Sequence, residues 1–136
     1  MKRITCVLLA VMLIATLAVP AMAVEEESTI TPRYSYIEGL SASLSINSWG
    51  LTDCYASGVA YRGDSMVFTC SLQQYNGSYW TTVKSWTSTT KPSATIAKNY
   101  AVYSGYTYRV KASCSVYNSS GSLLESGYLY SNEVYY

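Results

Sequence analysis

The 136-residue chain contains no histidine, and that absence removes much of the familiar side-chain chemistry. Without an imidazole there is no Ser-His-Asp triad, no Cys-His pair, and the commonest metal ligand is missing. The acids are the run Glu25-Glu26-Glu27, then Glu38, Asp53, Asp64, Glu125 and Glu133. A glycosidase needs two carboxylates facing one bond at a set separation. Asp53 and Asp64 flank one expected strand and its turn, so they are the pair that would serve an uncharacterised hydrolase. Isolated carboxylates at such places are ordinarily just solvated, and no Gly-rich phosphate loop accompanies them. The expectation is a non-catalytic protein with no cofactor and no metal.

Of the four cysteines, Cys6 falls in an N-terminal apolar run, which leaves Cys54, Cys70 and Cys114. All three fall on apolar faces of expected strands, where a reduced thiol packs as a small hydrophobe. A cysteine-only zinc site would want a fourth ligand and paired spacing, and neither is present.

The aromatic residues, 15 tyrosines and three tryptophans among them, carry the one functional reading that the side chains themselves offer. Strict alternation puts Trp80, Thr82, Lys84 and Trp86 on one strand face, the two indoles about 20 Å apart. Tyr75 and Tyr79 belong to the same hairpin. Flat rings beside hydroxyls, amides and a lysine could stack on sugar rings as a carbohydrate-binding platform. The same rings could equally cover a sheet edge or pack on cross-strand tyrosines. Arg62-Gly63-Asp64 resembles an integrin-binding tripeptide, and Asn76-Gly77-Ser78 and Asn118-Ser119-Ser120 match the glycosylation pattern; turn chemistry explains all three.

The elements that must position these residues are strands. From Leu40 the hydrophobic period is two: Leu40, Ala42, Leu44 and Ile46 alternate with Ser41, Ser43, Ser45 and Asn47. A second strand over Thr52 to Ala60 carries Cys54 and Ala56 on one face. A third, Ser65 to Gln74, places Met66, Phe68, Cys70 and Leu72 inward. Asn76-Gly77 is the strongest hairpin signal, and it returns the chain as a strand over Tyr79 to Ser88. A short fifth strand runs from Ser93 to Ile96. In Tyr106 to Tyr117, Tyr106, Tyr108, Val110, Ala112, Cys114 and Val116 share a face, with Arg109, Lys111, Ser113 and Ser115 opposite. A last strand lies between Glu125 and Tyr135. No segment has a helical period. About seven strands at this spacing predict an all-β antiparallel sandwich over 38–136.

The N-terminus predicts export. Lys2 and Arg3 precede the apolar run Ile4 to Val19, Pro20 breaks it, and Ala21-Met22-Ala23 offers a small-x-small cleavage pattern. A signal-peptide helix over 1–23, cleaved after Ala23, is therefore expected. The alternative is a retained anchor, since the run is nearly long enough to span a bilayer; the Pro and the lack of basic residues after the run oppose it. Cleavage would remove Lys2 and Arg3, leaving seven basic residues against eight acidic ones and a net charge of −1. That balance, without a basic stripe, excludes nucleic acid and anionic membrane surfaces as natural partners. Residues 24–37, acidic at first and aperiodic, read as a flexible arm.

Val102-Tyr103-Ser104-Gly105-Tyr106-Thr107-Tyr108 resembles the corner entering strand F of fibronectin type III and related immunoglobulin-like sandwiches. In this resemblance Tyr108 is the structural corner tyrosine, whose hydroxyl bonds back to the upstream backbone. Arg109-Val110-Lys111-Ala112 continues as that strand does, and Ser131-Asn132-Glu133-Val134 is similar to the closing strand. Ser104 stands where Pro is usual, and the second strand has no Trp. An immunoglobulin-like arrangement would set Cys54 against Cys114 across the sandwich as a disulfide, contributing about 4 kcal/mol by chain entropy, with Cys70 a buried thiol; all three reduced is the other reading. The stretches Leu72 to Trp86 and Ser104 to Lys111 also resemble a family of small secreted proteins of Gram-positive bacteria without an assigned function. Together these readings imply a secreted, extracellular, non-catalytic protein acting by binding or adhesion, its partner a cell-wall or host glycan or a surface protein.

Overall fold

The structure, a computed structural model, describes residues 34–136. The expected signal peptide and residues 24–33 of the expected arm lie outside the described residues. Within them the chain forms eight strands: β1 (Gly39–Ile46), β2 (Leu51–Val59), β3 (Ser65–Tyr75), β4 (Trp80–Thr89), β5 (Ser93–Ala101), β6 (Thr107–Tyr117), β7 (Leu123–Tyr130) and β8 (Val134–Tyr135). They make two antiparallel sheets, one of order β1-β2-β5 and one of order β4-β3-β6-β7, with β8 also pairing with β6. The expected all-β sandwich is therefore what the described residues form.

Alternation sets the core. From β2 come Cys54 and Ala56, from β3 Met66, Phe68, Cys70 and Leu72, and from β6 Tyr108, Val110, Ala112, Cys114 and Val116, all buried. Each series occupies every second position, so each strand offers one apolar face to the layer between the sheets and one polar face to water. The hairpin at Asn76-Gly77 forms as its sequence predicts: Gly77 has φ +96°, and Asn76 Oδ1 accepts from the backbone N–H of Ser78 and of Tyr79 at 3.0 Å. Gly63, with φ +84°, is pressed against Val116, leaving no room for a Cβ.

Three features depart from simple alternation. β5 continues five residues past the expected Ile96, to Ala101, because its whole length pairs with β2 from Val59↔Ser93 to Leu51↔Ala101. The closing strand is split: β7 covers Lys111 to Tyr117 of β6, and β8 covers Thr107 and Tyr108. Between the two, Ser131 turns inward to accept the Val110 N–H, and Asn132 bonds to the backbone of Leu44 in β1. The third departure is a bulge in β4, which decides the geometry of the candidate site.

The last four residues of the segment expected as an arm, Tyr34 to Ile37, are seated on the sandwich. One carboxylate holds them: Glu125 accepts the backbone N–H groups of Ser35, Tyr36 and Ile37, each at 2.8 Å. Ile37 is buried in the core, and the Tyr34 ring lies on Gly127 so closely that any Cβ there would meet it. Glu38 then starts the pairing with β2 through the Val59 carbonyl.

Candidate functional site

Alternation along β4 would put Trp80 and Trp86 on one face, and the structure overturns this. In the β3–β4 ladder Leu72 pairs with Lys84 but Gln73 pairs with Thr82, so Val83 is an extra residue on β4. A β-bulge of this kind inverts the alternation beyond it. Trp86 consequently pairs with the buried Cys70, while Trp80 pairs with Tyr75, whose side chain is outward. Trp86 packs against the core and meets Tyr100 of β5 edge to face, with ring centroids 6.4 Å apart. It lines the open cleft between the edges β4 and β5. The two-indole platform therefore does not exist, and Lys84, exposed beside Leu72 at the edge of the sheet, does not lie between two outward rings.

A different constellation gathers on the outer face of the five-stranded sheet. Successive rows of the ladder place Trp80, Tyr75 and Thr107 together, then Thr82, Gln73 and Arg109, then Ser71, Lys111 and Tyr130, then Thr69, Ser113 and Tyr128. The Tyr75 and Trp80 rings are tilted against each other with centroids 5.1 Å apart. The Arg109 guanidinium lies 4.0 Å from the Trp80 ring and 3.7 Å from the Tyr130 ring. Tyr130 meets Tyr128 edge to face at 5.4 Å, and the Lys111 ammonium is 4.6 Å from the Tyr128 ring. Arg109 Nε donates to Gln73 Oε1 at 2.9 Å. The result is one strip crossing four strands, with a cation held against the negative faces of the aromatic rings.

The strip is accessible to solvent. Tyr128 is 56 % exposed, Tyr130 39 % and Tyr75 36 %. Its two charged groups are both cations, and the ladder places no acid on this face. Tyr79, 61 % exposed, stands in the adjoining β3–β4 turn, outside the ring contacts. In the rows of Tyr130 and Tyr128 the β3–β4 side carries hydroxyls, which bond across strands as Ser71–Ser85 and Thr69–Thr87 at 2.9 and 3.0 Å. Of the residues the sequence singled out, Tyr75 and Trp80 belong to the strip. Arg109, Lys111, Tyr128 and Tyr130 were not among them, although the alternation in β6 already sets Arg109 and Lys111 opposite Val110.

The other sequence candidates lie elsewhere. Tyr108 is fully buried, and its hydroxyl donates to the Tyr103 carbonyl at 2.7 Å; burial pushes its pKa up. Asp53 lies on the outer face of the three-stranded sheet, between Ser45 and Asn99. Asp64 lies beyond the far end of β2, about 20 Å along the strand from Asp53, too far for both to flank one bond.

Among the described residues there is no disulfide: Cys54, Cys70 and Cys114 are free, buried thiols. Packing between the sheets explains why the expected Cys54–Cys114 bridge is absent. Gly58 of β2 sits directly on the Phe68 ring, and Phe68 is the in-register partner of Cys114. Cys54 is four residues farther along β2, about 13 Å from Gly58, and the thiol it influences is that of Cys70, not Cys114. Its sulfur instead bonds to Thr52 Oγ1 at 3.3 Å. Burial pushes Cys70 up to about 12, with Cys54 a lesser contributor, and Cys114 up to about 11. These thiols are therefore poor nucleophiles at neutral pH.

Compared with protein-family models, with curated proteins and with solved structures, the chain matches none.

Proposed function

We propose that this chain is a secreted, non-catalytic binding protein built as an immunoglobulin-like sandwich of the fibronectin type III kind, and that it binds glycans through the outer face of its five-stranded sheet. The single observation that carries the reading is the strip Tyr75, Trp80, Arg109, Tyr130 and Tyr128, four aromatic rings and a held guanidinium on one exposed face. Exposed rings give sugar rings an apolar surface to stack on, while neighbouring amides, hydroxyls and cations give their hydroxyls directional partners. Export is supported by the N-terminal pattern from Lys2 to Ala23. The absence of histidine and the separation of Asp53 from Asp64 support a non-catalytic role. The sheet order, the pairing of β6 with both β3 and β7, and the Tyr108–Tyr103 bond support the fibronectin-type assignment.

A second reading, a surface protein as ligand, is favoured by the same Trp, Tyr and Arg content, since those residues dominate protein-binding hot spots. A panel of neutral and acidic polysaccharides, titrated against the purified protein and followed by Trp fluorescence, separates the two. Saturable binding that disappears in Trp80→Ala with the fold intact supports the glycan reading. A flat response across the panel, with Trp80→Ala abolishing capture of a surface protein, replaces it by the second.

A further inference from the structure

Resting on the glycan reading, we infer that the ligand is acidic, a glycan whose sugars carry carboxylates, and that Arg109 and Lys111 are the residues that select it. Arg109 is held on two sides. Its plane is fixed between the Trp80 and Tyr130 rings, and its Nε is bonded to Gln73. Its two terminal nitrogens make no hydrogen bond among the described residues. A guanidinium with its plane and Nε side fixed presents the end-on pair of N–H groups as a fork of set direction, matching the two oxygens of a carboxylate. Because the rings have already restricted the side chain, little further rotamer entropy is lost when an anion docks.

Lys111 lies two residues along the same strand and face, its Cα about 7 Å from that of Arg109. Its ammonium also rests by rings, those of Tyr128 and Tyr130. The two cations are thus spaced along a row flanked by stacking surfaces, and the ladder rows that contain them hold Gln73, Thr82, Ser71 and Tyr130 but no carboxylate. Two cations set among rings suit a chain of singly charged sugars. A densely charged polyanion would call for a basic stripe, which the near-neutral charge balance does not provide.

The test titrates polygalacturonate, a neutral glucan and a sulfated dextran into the purified protein and into Arg109→Gln, Arg109→Lys and Lys111→Gln. Polygalacturonate is expected to bind preferentially and to weaken with added salt. Arg109→Gln should lower its affinity roughly tenfold or more, and Arg109→Lys nearly as much, because the charge stays but the fork is lost. Lys111→Gln lies outside the Trp80–Arg109–Tyr130 stack, so its smaller loss, about threefold to tenfold, guards against misreading a folding defect. Equal binding of polygalacturonate and glucan, unchanged in all three variants, would overturn the inference and leave the glycan-binding face standing. Preference for the sulfated dextran would overturn the carboxylate assignment. Silence toward every glycan would remove both the inference and the reading beneath it.

Discussion

The two outer faces of the sandwich meet the same problem, a flat sheet surface exposed to water, in different ways. On the three-stranded sheet the outward positions of β1 are Ser41, Ser43 and Ser45, facing Ser57, Tyr55 and Asp53 of β2. Its cross-strand contact is a hydroxyl pair, Ser41–Ser57 at 2.7 Å. The five-stranded sheet uses the same device between β3 and β4, in Thr69–Thr87 and Ser71–Ser85. Across β6 and β7, and at the Tyr75–Trp80 end of the hairpin, it changes to rings and cations. The first face is thus mostly small polar side chains with Tyr55 alone among them in ring character, and rings clustered around cations occur only on the second among the described residues. That contrast supports reading the strip as a binding surface.

The contrast can be broken most forcefully at the two tryptophans, which the β4 bulge sends to opposite sides of the sheet. Trp86→Ala removes an indole packed on the core and on Tyr100. It should cost about 2–3 kcal/mol in denaturant unfolding, less than a fully buried Trp would, and leave ligand affinity unchanged. Trp80→Ala should cost only about 1 kcal/mol and abolish glycan binding. An equal loss of binding in both variants would contradict the assignment of faces.

Tyr108→Phe tests the corner beside the strip. It leaves the buried ring in place but strips the Tyr103 carbonyl of its donor, and about 1–2 kcal/mol of stability should be lost in thermal or denaturant melts.

Glu125 supplies a pH-dependent contribution. Burial raises its pKa, but the backbone N–H groups of Ser35, Ile37 and Tyr36 together outweigh burial and hold it below the ordinary value. A carboxyl lowered by folding adds stability above its unfolded pKa and loses it as pH falls through the folded one. Melting temperature should therefore fall as pH drops below about 4, and Glu125→Gln should flatten that fall while lowering stability at neutral pH.

The smallest effect belongs to the serine face. Ser57→Ala should change stability by less than about 0.5 kcal/mol and leave glycan binding untouched, which melts and titrations of the same variant would check.

What could be read from the sequence follows from where each piece of information resides. The inward series of β2, β3 and β6 were legible because a period of two is local, and an apolar residue of any kind at every second position is enough to reveal it. Asn76-Gly77 was legible for the same reason. The separation of Trp80 from Trp86 was not, because one extra residue, Val83, reverses the faces of every position beyond it, and only the pairing with β3 reveals it. Arg109 and Lys111 could be placed outward from β6 alone. Their meeting with Tyr130 and Tyr128 depends on the β6–β7 register, which is non-local and includes an irregularity at Val116 and Tyr117. The cysteines fail for a related reason: the axial offset of one sheet over the other, fixed by Gly58 on Phe68, is written in no single strand.

The outer face of the five-stranded sheet is the proposed ligand surface. The most direct measurement is an amide and indole N–H NMR titration of the purified protein with oligogalacturonate. The Trp80 indole and the amides of Thr107, Arg109, Lys111 and Tyr130 should shift, while the indoles of Trp49 and Trp86 and the amides of Ser43, Asp53 and Ser57 stay put. Shifts confined to the three-stranded sheet or to the Trp49 turn, or a spectrum that oligogalacturonate leaves unchanged, would contradict that assignment.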